Sequence, residues 1–355
     1  PQMAERVYLD HAATSPLRPE AKAAMDEGFA MWANPSSPHA EGRKARAGLE
    51  DARERIKAAL GWEGELIFTS GASEALWIAL NRAKVERRIV SAVEHDAVFR
   101  AAPDATVIPI SPFGAELDRE ALSEALGKGR AIFALQSLNS ETGTELLKAR
   151  NEQNLALARQ VREAGALLLA DCSQSAGKQL VPEADMVVVS GHKFGGPIGI
   201  GALLVREFAL LEPDGGHERG YRQGTENLPA AMGMAAALEA GGTDGWTTSE
   251  GARLDFRQAV WSAGEAIAVG PQCSHIIAVA HPTISAQALL IRLDAMGFAV
   301  SAGSACSSGT LKKSRVLDAF GVPDDVAVRT IRVSLGWNTT PEDMERFADA
   351  WASLA

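Results

Sequence analysis

At 355 residues the chain exceeds the ~250–300 residues over which one hydrophobic core usually extends, so its length predicts two domains. Its 46% hydrophobic and 23% charged residues are typical of a globular protein, and a formal net charge of -10 argues against nucleic acid or an anionic membrane as partner. No apolar run approaches the ~18 residues of a spanning helix, and the N-terminal sequence PQMAERVYLD does not resemble a signal peptide. We therefore predict a cytoplasmic protein.

Residues 7–16, VYLDHAATSP, form a short apolar segment that breaks into small and polar residues and is expected to lead into a functional site. The turn NPSSPHAEG follows, beginning at Asn34. Ser36 or Ser37 is predicted to cap the charged amphipathic helix that continues to about Leu60.

Strands and helices alternate in the next part of the chain, which predicts a mostly parallel sheet with helices on both faces. The candidate strands are residues 66–69, 88–93, 106–110, 131–136, 166–170, 186–190 and 202–205. The helical patterns between them are residues 73–84, 118–126 and 149–163. These elements predict an α/β fold with a seven-stranded sheet.

Turn residues become dense in the segment 241–248, GGTDGWTT, which predicts a domain boundary. The later apolar segments alternate with helices in an α+β pattern, at residues 276–280, 298–300 and 331–335. We predict a large cofactor-binding domain at residues 15–243 and a small domain formed by residues 1–14 and 244–355.

The segment 186–201, MVVVSGHKFGGPIGIG, begins as a buried strand and ends in a glycine-rich turn. Lys193 follows the strand at its carboxyl end, which is where open α/β sheets bind ligands. The glycines beside it let the backbone come close to a ligand. Burial would lower the pKa of the amine and free it to form a Schiff base with an aldehyde cofactor.

Polar residues also follow other predicted strands. Asp171 comes directly after LLLA, where its carboxylate can pair with the protonated pyridine nitrogen of pyridoxal phosphate. Gln174 would reach the phenolic oxygen of the same ring. His95 follows the strand that is predicted to end at Val93, and it can stack on a flat cofactor and move protons near neutral pH. Together these residues define one crevice.

The segment 69–74, TSGASE, joins a strand to a helix, and free backbone N–H groups at such a helix start favour a phosphate. In the segment HERGYRQGT, Arg222 and Thr225 offer further donors for a phosphate. Arg332, in IRVSLG, can hold a carboxylate through its planar guanidinium or form a salt bridge.

The chain has three cysteines, too few and too scattered for a disulfide framework or a zinc site, and no metal site is predicted. Cys306 lies in SAGSACSSGT, which is typical of an exposed loop, and a thiol there is a candidate nucleophile. Cys172 and Cys273 are interpreted as structural.

With these residues the sequence resembles the cysteine desulfurases of the class V aminotransferase family, in the subgroup with a long catalytic-cysteine loop. The matching motifs follow in family order as LDHAATSP, NPSSPHAEG, TSGASEA, EHDAV, NSETG, DCSQSAGK, SGHKFGGPIGIG, HERGYRQGT, SAGSACSS and IRVSLG. The resemblance implies a fold-type I pyridoxal phosphate enzyme that is a homodimer with its active sites at the subunit interface.

The resemblance also implies a role for each site residue. Lys193, His95 and Cys306 would be catalytic, and Asn34 and Arg332 would hold the carboxylate of L-cysteine. The cofactor would be bound by Lys193, Asp171, Gln174, Ala72, Ser73, Ser190, His192, Ser140 and His95, with Thr225 reaching its phosphate from the neighbouring subunit.

The implied reaction converts L-cysteine to L-alanine and leaves the sulfur as a persulfide on Cys306. The persulfide then passes to an acceptor protein such as an iron–sulfur scaffold, for the synthesis of iron–sulfur clusters or other thio-cofactors. One departure concerns the NSETG segment, where the family usually places an asparagine immediately before the glutamate. This chain has Ser140 there, and Asn139 lies one residue early.

Three alternatives stay open at this point. A selenocysteine lyase or a class V aminotransferase would use the same fold, although an aminotransferase would not need Cys306 in a Gly- and Ser-rich loop. An alternative of another class is a non-catalytic sulfur carrier or regulatory partner. Only Ser140 supports it, and the intact Lys193, Asp171, His95 and Cys306 argue against it.

Overall fold

The computed structural model describes residues 6–112, 114–302 and 314–354. The strands found there are β1 (Val7–Tyr8), β2 (Glu65–Thr69), β3 (Arg87–Ser91), β4 (Thr106–Ile108), β5 (Ala131–Gln136), β6 (Leu167–Asp171), β7 (Met186–Ser190), β8 (Gly201–Val205), β9 (Glu265–Ala266), β10 (Ile276–Ala280), β11 (Phe298–Ala299) and β12 (Thr330–Ser334). The α-helices there are α1 (Pro19–Ala30), α2 (Ala40–Leu60), α3 (Ala72–Arg82), α4 (Asp96–Ala101), α5 (Arg119–Leu126), α6 (Glu152–Glu163), α7 (Leu228–Glu239), α8 (Glu250–Ser262), α9 (Ala286–Ala295), α10 (Arg315–Ala319), α11 (Asp324–Ala327) and α12 (Pro341–Leu354).

The large sheet has seven strands in the order β2-β8-β7-β6-β5-β3-β4. Only β8 runs antiparallel to its neighbours β2 and β7, and the other adjacent pairs are parallel. This confirms the predicted mostly parallel seven-stranded sheet. Three strands end at residues other than those predicted. β6 continues to Asp171, β3 ends at Ser91, before a turn that leads to His95, and β4 ends at Ile108 because Pro109 has no N–H for a further ladder bond.

The central strands are apolar because both faces of the sheet are covered. Every residue of β5 to β8 is buried. Alternate side chains enter different cores: Val187 and Val189 pack on one side, and Met186 and Val188 pack on the other. Successive side chains of an extended strand point to opposite faces of the sheet. Because both faces of this sheet are covered, apolar residues are needed at every position of its central strands.

The cap predicted for α2 is wrong. The helix begins after His39, whose Nδ1 accepts a hydrogen bond from the N–H of Gly42 at 3.2 Å. Ser36 and Ser37 are held in a turn of their own, because the N–H of Ser36 donates to the side chain of Asn34 at 2.8 Å and the N–H of Ser37 donates to its carbonyl at 3.0 Å. The predicted end at Leu60 is confirmed.

A second group of strands involves the two ends of the chain. β10 lies between β9 and β12 in an antiparallel sheet, and β1 pairs in parallel with β11. Beyond β1, Asp10 bridges to Ser334 at the end of β12. The N-terminal segment is thereby held against the C-terminal part of the chain. The predicted domain limits, 15–243 against 1–14 with 244–355, stay a prediction.

Across the described ranges, none of the helices combines the length and the apolar character needed to cross a membrane.

Candidate functional site

Six strands of the large sheet, β2, β7, β6, β5, β3 and β4, run parallel to one another, so their carboxyl ends share one edge. Ligands bind at this edge in open α/β sheets. The predicted site residues that lie on or just after these strand ends are Ala72, Ser73, Ser190, His192, Lys193, Asp171, Gln174, Ser140 and His95.

Lys193 closes a single 3₁₀ turn, Gly191–Lys193, that directly follows β7. Its ammonium donates to the carbonyl oxygens of Ala12 at 2.7 Å and Ala13 at 2.8 Å. The amine is therefore held by the N-terminal segment, which the sequence expected to lead into a site. It meets backbone acceptors there and no carboxylate within ion-pair distance in the described part of the chain.

Burial lowers the pKa of Lys193 to about 8, and the positive charge of Arg332 acts in the same direction. The carboxylates of Asp10 and Asp171 oppose this shift. A buried amine near other charges keeps a large neutral fraction close to neutral pH, and the neutral amine is the nucleophile. The side chain is therefore suited to react with an aldehyde.

Asp171 is the last residue of β6 and is only 6% exposed. One of its carboxylate oxygens, Oδ1, accepts hydrogen bonds from the N–H of Ser173 at 3.0 Å and from its hydroxyl at 2.5 Å. This fixes the carboxylate at the strand end. A buried carboxylate held in this way can pair with a protonated ring nitrogen.

Gln174 shares an acceptor with Lys193. Its Nε2 donates to the carbonyl of Ala12 at 2.8 Å, the oxygen that also accepts from the lysine. The other end of the amide, Oε1, is buried and has no hydrogen-bond partner in the described chain. An unpaired buried oxygen is costly, so its presence beside Lys193 indicates a place for a polar ligand.

His95 is the N-cap of α4, and its Nδ1 accepts a hydrogen bond from the N–H of Ala97 at 3.1 Å. Nε2 is thus the ring atom that carries the proton of the neutral imidazole, and the residue as a whole is exposed. The protein packed around it lowers the pKa of His95, as does the charge of Lys193, while Asp171 opposes the shift. These contacts favour the neutral imidazole.

A helix N-terminus lies open at the same edge. Gly71, at φ +154°, is the N-cap of α3, and Ala72 and Ser73 are its first residues. Gly71 has no side chain to cap the helix, so the first N–H groups and the helix dipole are available to an anion.

His192 and Ser190 belong to the strand end that carries Lys193. Ser190 is buried, and His192 Nδ1 lies 3.0 Å from the hydroxyl of Thr14. Burial, then the charges of Lys193 and Lys178, lowers the pKa of His192 to about 4. A neutral His192 can donate one hydrogen bond to an anion. Thr14 was not predicted, although its small polar segment was.

Arg332 lies on β12 with a buried side chain. Nη2 forms an ion pair with Asp10 at 2.8 Å, and Nη1 donates to the carbonyl of Ser140 at 2.8 Å. Its Nε is buried and has no partner among the residues described. The ion pair predicted as the alternative role of Arg332 is therefore present, and Asp10 is a site residue that the sequence analysis missed.

Asn139 does not take the place of the asparagine that the family usually has at the position of Ser140. Its Oδ1 accepts from the N–H groups of Glu141 and Thr142 at 2.9 and 3.0 Å and from the Thr142 hydroxyl at 3.1 Å. Asn139 is buried and shapes the loop that follows β5.

Glu94, directly before His95, is a second residue that the sequence analysis missed. Its Oε1 accepts from the hydroxyl of Ser91 at 2.6 Å and from the N–H of Gln136 at 3.0 Å. The bonds join the ends of β3 and β5 beneath the site. Burial raises the pKa of Glu94 to about 8, which favours its neutral form at neutral pH. The signal available in the sequence was an acidic residue immediately after an apolar strand.

For three predicted site residues the described part of the chain shows no hydrogen bond or ion pair with the site residues above. Asn34 and Thr225 are exposed, and no hydrogen bond or ion pair joins either to the other candidates in the described ranges. The loop of Thr225 is attached to α3 through an ion pair of 2.6 Å between Arg222 and Glu74. Cys306 lies outside the described residues.

Residues 7–347 match the family described as Aminotransferase class-V. A cysteine desulfurase of Cereibacter sphaeroides is 36% identical to the chain, over 97% of this chain and 94% of its own length. The structure is similar to that of a NifS-like protein from Rickettsia africae, with a TM-score of 0.84, 26% identity and coverage of 99% of both chains.

A further solved structure, of SspA in complex with cysteine, has a TM-score of 0.77 and 26% identity, over 94% of this chain and all of that one. The family match spans almost the whole chain and includes each strand of the site edge. The chain therefore belongs to the cysteine desulfurases of the class V aminotransferase family.

Proposed function

We propose that the chain converts L-cysteine to L-alanine, with Cys306 receiving the sulfur and passing it to an acceptor protein such as an iron–sulfur scaffold. The observation that carries the proposal is the half-buried amine of Lys193, whose pKa is lowered, beside Asp171 and Gln174 at the carboxyl edge of the sheet. The relative whose structure contains cysteine supports this choice of substrate.

Enzymes of this family depend on pyridoxal phosphate, and the residues present fit that group. Lys193 would bind its aldehyde carbon and Asp171 its pyridine nitrogen. The phenolic O–H of the group would donate to Gln174 Oε1, which has no partner in the described chain. The open N-terminus of α3 suits its phosphate. When bound, the group supplies an electron sink for the carbanion formed at the α-carbon of the substrate.

The remaining cofactor contacts follow from position. Ala72, Ser73, Ser190 and His192 would hold the phosphate, together with Thr225 of the partner subunit. His95 would stack on the ring, and Ser140 would lie near its edge. Each of these roles is a proposal.

Arg332 would bind the carboxylate of L-cysteine. Asp10 and the Ser140 carbonyl hold its two terminal nitrogens in place. A preorganised guanidinium loses little side-chain entropy when it binds, which favours a defined orientation of the substrate. Asn34 would assist from the turn before α2.

Proton movement falls to Lys193 and His95. A neutral Lys193 amine can take the α-proton of the substrate, and its pKa of about 8 allows it to return the proton near neutral pH. The Nε2–H of neutral His95 can donate a hydrogen bond, because Nδ1 accepts from the N–H of Ala97. Lys193 is thus proposed as the base, and His95 as a hydrogen-bond donor beside it.

Cys306 would act as a thiolate on the sulfur of the substrate. A sulfur–sulfur bond forms as the carbon–sulfur bond breaks, and the electron pair of the broken bond remains on carbon. Protonation of that carbon yields alanine. The persulfide on Cys306 is then the group transferred to the acceptor.

The lowered pKa of Lys193 predicts how the apoenzyme takes up pyridoxal phosphate. The rate of capture should rise with pH and level off near the pKa of about 8, because the neutral amine reacts and burial disfavours the charged form. Stopped-flow absorbance in the visible measures this rate. N-acetyl-lysine amide is the control, and its rate should keep rising toward the ordinary pKa of 10.5. A protein profile that follows the control would contradict the prediction.

We also propose that the protein is a homodimer. The strongly exposed large apolar side chains of the described residues include Phe29 at 62%, Trp32 at 78% and Ile198 at 75%. Exposed apolar side chains that form one patch mark an interface. Trp32 is two residues before Asn34, and Ile198 is five residues after Lys193, so a second copy that covered them would adjoin the site. Sedimentation equilibrium tests this, and a monomer at micromolar concentration would exclude it.

The reaction itself is tested by incubating the enzyme, loaded with pyridoxal phosphate, with L-cysteine and dithiothreitol. We expect alanine and sulfide in equal amounts. D-cysteine and the apoenzyme serve as controls and should yield neither. Pyruvate or the keto acid of cysteine in place of alanine would exclude a desulfurase, and a higher kcat/KM for selenocysteine would favour the lyase. No product and no visible band would favour the non-catalytic alternative.

A further inference from the structure

Arg18, in the loop before α1, is a buried arginine without an acidic partner. Its side chain is 5% exposed, and within the described ranges it forms no ion pair. A charge buried in this way is costly, so it needs several good hydrogen bonds in return. The contacts of Arg18 lie on three different parts of the molecule, and one of them is the carbonyl of Gly241, which accepts from Nη2 at 3.1 Å.

One set of contacts is with the turn that carries Lys193. The side-chain Nε of Arg18 donates to the carbonyl of Phe194 at 3.1 Å, and its backbone N–H donates to the carbonyl of Gly195 at 2.9 Å. Gly195 has φ +91°, and a Cβ there would lie 2.6 Å from Cγ of Arg18. Arg18 therefore packs directly on the two residues after Lys193.

Another contact is with Trp337. The guanidinium carbon of Arg18 lies 5.2 Å from the centre of the Trp337 ring, a distance typical of a cation–π contact. The indole N–H of Trp337 donates to the carbonyl of Pro16 at 2.9 Å. Trp337 follows β12, the strand that carries Arg332, by three residues. Arg18 thus connects the lysine turn with the segment that continues from the arginine strand.

The N-terminal segment that leads to Arg18 contacts both Arg332 and Lys193. Asp10 pairs with Arg332, and the carbonyl of Ala12 accepts from Lys193. This short N-terminal segment therefore also joins Lys193 and Arg332.

We propose that Arg18 and Trp337 are positioning residues that set the separation between Lys193 and Arg332. This rests on the proposed function, in which Lys193 carries the cofactor and Arg332 binds the substrate carboxylate. A ligand that engages both groups is sensitive to their separation, whereas a ligand that engages only the cofactor is not. Arg18 and Trp337 contribute to the fit of an amino acid without touching it.

The test compares two amines that differ only by the carboxylate. L-alanine and ethylamine are titrated into the holoenzyme, and the visible band of the cofactor reports their binding. In Arg18→Met and in Trp337→Phe we expect affinity for L-alanine to fall about tenfold, because misplacement of an oriented ligand is costly, while affinity for ethylamine changes less than about twofold. Arg18→Lys, which keeps the charge without the planar fork, should be intermediate.

Arg46→Met is the matched control, since Arg46 is an exposed arginine on α2 that pairs with Glu50. It should leave both affinities unchanged. Thermal unfolding of each variant shows whether it is folded, and Trp337→Phe keeps the test open if Arg18→Met does not fold, because the phenyl ring preserves much of the packing.

Two results would overturn the inference, and they differ. If the variants weaken L-alanine and ethylamine equally, Arg18 and Trp337 act on general stability only, and the proposed function is untouched. If the wild-type enzyme itself does not prefer L-alanine over ethylamine, then Arg332 does not bind the carboxylate, and both the inference and that part of the proposed function are wrong.

Discussion

Replacement of Lys193 by alanine is expected to lower the production of alanine from L-cysteine by about a thousandfold or more, because the variant loses both the nucleophilic amine and a proton carrier. The amine is held by the carbonyls of Ala12 and Ala13, and burial lowers its pKa to about 8. Burial also lowers the pKa of Lys178, to about 7, but Lys178 lies outside the turn that directly follows β7. The measurements are alanine production and the visible spectrum with added pyridoxal phosphate.

The control for this prediction is Lys22→Ala. Lys22 is an exposed lysine on α1 that pairs with Asp26, so its loss should leave turnover and the visible band unchanged. If Lys193→Ala kept the band and turned over L-cysteine at a rate close to wild type, another amine would hold the cofactor, and the proposed site would be wrong.

Replacement of Cys306 by alanine is expected to separate binding from sulfur transfer. The variant should still bind L-cysteine, seen as a change in the visible band, because the residues proposed for binding are retained. Production of alanine and sulfide should fall by about a thousandfold, because no thiolate is available to take the sulfur. Mass spectrometry of wild type during turnover should find one additional sulfur atom on the peptide that contains Cys306.

Cys273→Ala is the matched control. Cys273 is buried, and burial raises the pKa of its thiol to about 11, so it is predominantly protonated and shielded at neutral pH. Its loss should cost some stability and leave turnover intact. Activity of Cys306→Ala equal to wild type would mean that the enzyme needs no protein thiol, and the assignment of Cys306 would fail.

The apolar runs and their spacing predicted most of the large sheet. Residues 131–136 and 186–190 were predicted with the observed limits, and the other strands of this sheet begin or end within two residues of the prediction. A strand buried on both faces is an apolar run by necessity, so the pattern is readable without tertiary information. The N-cap of α2 could not be predicted in this way, because Ser36, Ser37 and His39 all carry a side-chain acceptor. The turn at Asn34 holds Ser36 and Ser37, which leaves His39 as the cap.

The sequence by itself determined that Lys193, Asp171 and His95 meet at one edge, because polar residues that follow parallel strands share the carboxyl end of the sheet. Only the tertiary structure decided their partners. Ala12 accepts from Lys193 across 181 residues, and Asp10 pairs with Arg332 across 322. The periodicity of apolar residues and the spacing of motifs indicate local conformation and which face of a strand or helix is buried. Contacts between distant segments depend instead on how the sheet and the chain ends pack, and no local pattern encodes that.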